Sequence, residues 1–147
     1  MSAAHRTFLL PGEQVEFEKT ITAADVDMFA KITGDYDPVH VDGAYAAKTA
    51  FGRRIAHGAL VMGLLSAASA TISRWSVERG AAGTPVSAGY DRIRFVRPVF
   101  IGGTLTARYV VEEVDDAAGR TRSRLEITNQ DSAVCLVGTH ILAWVVA

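Results

Sequence analysis

The sequence predicts an α+β fold in which one long apolar helix lies against an antiparallel sheet. Three observations carry that expectation. A single segment, Ile55 to Ile72, runs eighteen residues without a formal charge. Behind it the chain reads as four strands separated by hairpin-type turns, with no further helical period. Ahead of it, Glu13 to Thr20 (EQVEFEKT) places Val15 and Phe17 on one side and charges on the other, the period of a half-buried strand.

The remaining elements follow in order. Thr22, with Asp25 three residues on, forms a capping-box pattern with a shorter acid. Val26, Phe29, Ala30 and Thr33 then recur at helical spacing, predicting a helix from about Ala23 to Thr33. Asp25 and Asp27 suit its positive end. Gly34 can end it in a left-handed conformation, and Pro38 keeps the helix from running on through the turn. Asp42 can cap a short helix over roughly Gly43 to Thr49, and Arg53-Arg54 reads as a surface loop. The long helix should start at His57-Gly58 and reach about Trp75. Being apolar on nearly every side, it should be wrapped by other structure. Strands are expected over Val86–Val96, Leu105–Val114, Thr121–Asn129 and Ala133–Val146.

At 147 residues the chain is expected to be one domain, 1–147, with 49% hydrophobic and 21% charged residues. A formal net charge of −1 gives no global field for nucleic acid or an anionic membrane. The alternating Arg92, Arg94, Arg97 and Arg120, Arg122, Arg124 fit solvated strand faces better than a phosphate site. Ile55–Ile72 contains His57, two glycines and several hydroxyls, and reads as a buried helix rather than a membrane span. No signal peptide is read at the N-terminus. The lone Cys135 excludes an intrachain disulfide and a cysteine zinc site; it reads as a small core residue in a chain expected to be cytoplasmic.

Chemistry concentrates in Thr33–His40, TGDYDPVH. Asp35 and His40 lie five residues apart on a turn, and a carboxylate beside an imidazole can move protons on and off a bound water. Spacing alone leaves two bland roles open, Asp35 as a helix-end cap and His40 as a polar filler. A metal site from Asp35, Asp37, His40 and Asp42 is a weaker reading: the run fits no calcium loop, lacks a second histidine and has Pro38 in its middle. At His57-Gly58 the long helix begins, where free N–H groups can hold a developing oxyanion and Gly58 has no side chain to shield its own. The alternative there is a glycine needed only for close packing.

Together, TGDYDPVH and the segment Ala44–Ser66, which carries AFGRRIAHGALVMGLLS, resemble the MaoC-like (R)-specific enoyl-CoA hydratases (hydratase 2). His-Gly follows the first motif at the family's spacing, and RIRFVRPVFIGGTL (Arg92–Leu105) is similar to the family's strand and turn. The resemblance implies a hot-dog fold and a homodimer, or a higher oligomer, with sites near the subunit interface. It implies Asp35 and His40 as the catalytic dyad and the Gly58 N–H as the oxyanion donor. His57, Ser66 and Asp37 join the substrate-binding group, with Ser66 equally readable as a hydroxyl bonded to its own helix. The implied reaction is syn hydration of a trans-2-enoyl-CoA or acyl-carrier-protein thioester, or its reversal, with no cofactor and no metal. Two positions depart from the family. Asp37 replaces the usual Asn, so it either couples to Asp35 in the pocket or serves the turn alone. Gly103 replaces a frequent Asp. An acyl-CoA thioesterase on the same fold would need a carboxylate or nucleophile on the long helix, and Leu60–Ser76 has no Asp or Glu. A non-catalytic acyl-thioester-binding subunit would be expected to have lost Asp35 or His40.

Overall fold

The computed structural model describes residues 6–147. Its order is β1 (Gln14–Thr20), α1 (Ala23–Thr33), α2 (Pro38–Val41), α3 (Gly43–Ala46), α4 (Gly58–Glu78), then β2 (Thr84–Phe95), β3 (Thr104–Asp115), β4 (Arg120–Thr128) and β5 (Val134–Val145). The five strands form one antiparallel sheet in the order β1-β3-β4-β5-β2, leaving β1 and β2 as edges. The sheet holds α4 against one face, which is the hot-dog arrangement. Strand alternation makes that face: Leu105, Ala107, Tyr109 and Val111 of β3 and Leu125 and Ile127 of β4 are buried against Val61, Leu64, Leu65, Ala68 and Ile72 of α4. The opposite face is charged and wet. There Arg122 pairs with Asp91 at 2.8 Å and Arg124 with Glu112 at 2.9 Å, so these arginines face solvent as their spacing suggested.

Helix α4 departs from the expectation of burial on all sides. Its inner residues are buried, but Ala59, Gly63, Ser66 and Ala70 are exposed along one stripe. A five-stranded sheet covers one side of a cylinder, and the uncovered stripe carries the small residues. The helix is long and apolar enough to cross a membrane, yet its buried face belongs to the same core as β3, β4 and β5.

The caps form as read. Thr22 accepts the Asp25 N–H while Asp25 accepts the Thr22 N–H, and Gly34 closes α1 at φ 84°. Beyond it lies a difference: Pro38 opens a short helix of its own, α2. A proline suits the first helical position, where no N–H is needed, and Asp37 caps it. The turn that lacks an acid at Gly103 is tied by backbone instead. The Gly103 N–H donates to Phe100 O at 3.1 Å, and the Ile21 N–H donates to Gly103 O at 2.9 Å.

Candidate active site

Three segments converge at one end of α4: the α1–α2 turn, α2 itself, and the loop from Ile55 into the helix. Asp35 is fixed by its own turn. Its N–H bonds Thr33 Oγ1 at 3.2 Å, and its Oδ1 accepts the Asp37 N–H at 3.2 Å. Its carboxylate remains exposed.

His40 sits half-buried on α2, with Nδ1 2.8 Å from the Ile55 carbonyl oxygen. A carbonyl only accepts, so Nδ1 carries the hydrogen and Nε2 is left with a lone pair; the tautomer is assigned from this partner. Arg54 reinforces the placement. Its Nε donates to the His40 carbonyl and its Nη2 pairs with Asp27 of α1. Sequence reading left Arg54 on the surface, yet only 20% of its side chain is exposed. Nothing local in Arg53-Arg54 marks which arginine turns inward.

His57 is 2% exposed and lies against Asp35 and His40. Its ring stacks on that of His40, with centroids 4.0 Å apart and planes 30° apart, and Phe29 of α1 lies on it at 4.6 Å. Its Nε2 donates to the backbone carbonyl of Asp35 at 3.0 Å, and Nδ1 is buried with no partner among the described residues.

Asp35, His40 and His57 each bring a ligand atom within 4.8 Å of the others. The second histidine missing from the 35–42 run is thus supplied by the residue that precedes the long helix. His57 already gives its Nε2 to the Asp35 carbonyl, which leaves its buried Nδ1 as the one ligand atom it could offer.

The N–H of Gly58 starts α4 and has no backbone acceptor, the first internal bond being Val61 N–H to His57 O at 3.1 Å. Gly58 and His40 share the wall of a cavity of about 450 Å³ whose other sides are mostly apolar, with Phe51, Ile55, Phe95 and Cys135 among them and Arg97 the charged exception. Burial pushes the Cys135 thiol up, so it stays a neutral wall residue. A Cβ on Gly58 would lie 2.8 Å from Phe95 Cζ, so any side chain here would push that exposed ring aside.

The other two candidates are placed elsewhere. The Asp37 carboxylate is exposed and accepts the Val39 N–H at 3.1 Å, as the cap of α2. Ser66 lies on the exposed stripe of α4, more than two turns beyond Gly58, and its carbonyl accepts the Ser69 hydroxyl. Neither joins the cluster in the single chain.

The chain as a whole is similar to known proteins. The chain is 35% identical over 125 residues to a 3-hydroxybutyryl-CoA dehydratase of Methylorubrum extorquens, covering 85% of this chain and 69% of that one. An (R)-specific enoyl-CoA hydratase of Aeromonas caviae is 29% identical over 133 residues, covering 89% and 92%. The structure of the R-hydratase PhaJ1 from Pseudomonas aeruginosa superposes with a TM-score of 0.80 at 34% identity, covering 95% of this chain and 84% of that one. Residues 7–133 match the MaoC like domain, and with a hot-dog fold around this site the chain belongs to the MaoC-like hydratase and dehydratase family.

Proposed function

We propose that the protein hydrates trans-2-enoyl-CoA thioesters to (R)-3-hydroxyacyl-CoA, or runs the reverse dehydration. The observation that carries this is His40, whose Nε2 the Ile55 bond leaves open, with a ring nitrogen within 4.8 Å of an Asp35 carboxylate oxygen and with Gly58 on the same mostly apolar cavity wall. Asp35 and His40 hold a water between them. Its oxygen bonds to C3 as one proton passes to the dyad, and C2 takes a proton back from the dyad on the same face. Hydroxyl and hydrogen are both added and the dyad is regenerated. The charge that gathers on the thioester oxygen meets the Gly58 N–H at the positive end of α4.

The mostly apolar lining suits an acyl chain, with Arg97 as the charged exception in the wall. The absence of any carboxylate between Leu60 and Ser76 on α4 weighs against a thioesterase. A homodimer fits the same reading. Edge β2 is unpaired on one side, and Phe95 and Val96 are exposed at its end, beside the cavity.

The test is loss of enoyl-thioester absorbance with a chain-length series of trans-2-enoyl-CoAs, the product resolved by chirality. Sedimentation measures the assembly. Hydration of none of the series would overturn the proposal, as would an (S) product.

A further inference from the structure

We propose that His57 is the positioning residue of this site, holding Asp35 and His40 in register through the two faces of its chemistry. The inference rests on the hydratase reading above. At 2% exposure His57 is sealed behind the dyad, so it acts on substrate only through its neighbours. Its Nε2–H fixes the backbone carbonyl of Asp35, and its ring fixes the plane of His40. His40, which lines the cavity, is therefore held twice, by the stack on one face and by the Ile55 carbonyl at Nδ1, with Nε2 left open.

One feature sets His57 apart from an ordinary core ring. Its Nδ1 is buried with no partner among the described residues, a desolvation cost that a phenylalanine of similar shape would avoid. A chain selected for packing alone has no use for that nitrogen. Retaining imidazole makes sense when Nε2–H is needed, because the five-membered ring supplies a donor and a flat stacking face at once. The ionisable groups around it are Asp35 and His40, with Arg54 bound to the His40 carbonyl and to Asp27 on α1; Asp37 is turned to its own cap.

Two substitutions separate the functions. His57→Phe keeps the stack and loses the bond to Asp35, whereas His57→Gln keeps a donor and loses the ring. For His57→Phe the thermal midpoint should equal or exceed wild type. Its kcat for a trans-2-enoyl-CoA should fall about 10- to 100-fold, the scale of a small misplacement of catalytic groups, with KM within about twofold. In side-chain ¹⁵N–¹H spectra His40 should read as one Nδ1–H tautomer in wild type and as a mixture in His57→Gln. Folded His57→Phe with wild-type kcat would overturn the inference, and so would an unchanged His40 tautomer in His57→Gln. If wild type hydrates no enoyl-CoA, the proposed function fails by itself and the spectra alone decide the positioning role.

Discussion

Replacing Gly58 by alanine tests the oxyanion site most directly. The new Cβ would stand 2.8 Å from Phe95 Cζ and 2.9 Å from Cε1, where ordinary contact begins at 3.4 Å, so the ring must retreat by about 0.6 Å. Phe95 is 57% exposed and free to swing outward, which keeps the folding cost small. Alanine also favours a helix by up to about 1 kcal/mol over glycine, offsetting much of what remains. Activity should respond differently. The N–H survives, but a methyl now stands beside it and a displaced ring crowds the cavity mouth. Removing an oxyanion donor outright costs about 10²–10³ in rate, so screening one should lower kcat about 10- to 100-fold, roughly 1.4–2.8 kcal/mol. Enoyl-thioester absorbance measures the rate, and a circular-dichroism melt checks the fold. Adding Phe95→Ala separates the causes: recovery assigns the loss to the crowded ring, and no recovery assigns it to the shielded N–H. Folded Gly58→Ala with more than half the wild-type kcat would refute an oxyanion role for this group.

The other expectations follow from the same geometry. Asp35→Asn and His40→Gln should each lose about 10²–10⁴ in kcat, with thermal midpoints close to wild type because both act from a turn and a short helix; near wild-type kcat in either removes that residue from the mechanism. Asp37→Asn should leave stability and the pH profile of kcat/KM unchanged, since asparagine caps a helix as well as aspartate and the carboxylate already bonds Val39; a shifted profile between pH 5 and 9 would put Asp37 in the pocket. Burial pushes the His140 imidazole from 6.5 down to about 4. The unfolded chain therefore binds more protons between those values, and stability falls as pH drops, by about 2 kcal/mol from pH 7 to pH 5. Urea titrations at the two pH values should show this drop, and His140→Gln should remove most of it.

Periodicity and punctuation made most of the fold legible. The alternation of EQVEFEKT, the capping box at Thr22–Asp25 and the glycine at 34 act over a few residues, so the sequence states them directly. The boundaries that slipped depend on tertiary contact. Pro38 reads as a breaker because it ends helices, yet with Asp37 ahead of it the same ring starts one. The exposed stripe of α4 could not be foreseen from composition, because small apolar residues look alike whether a neighbour covers them or not. In the site, Asp35, His40 and Gly58 were legible as a motif. The stack of His57 on His40 joins residues seventeen apart, and Arg54 reaches Asp27 across twenty-seven. No periodic signal reports such pairs, and only the folded chain shows that an imidazole read as facing substrate lies behind the dyad.

The arrangement separates two tasks that most active sites combine. In the proposed mechanism helix α4 contributes backbone, the Gly58 N–H and a dipole, while the proton-moving side chains come from the α1–α2 segment clipped over its end. That segment is held by polar bonds rather than by a large apolar surface: Arg54 to Asp27 and to the His40 carbonyl, His40 to Ile55, and His57 to Asp35. None of the residues of α2 is buried, so its geometry depends on those few bonds. Two consequences follow in physical terms. Core positions away from the cavity can tolerate change without disturbing the chemistry, whereas Val61, Val99 and Cys135 belong both to the core and to the cavity wall. The dyad, by contrast, is sensitive to any single tether, because polar contacts in a small network are not independent and the loss of one frees the others.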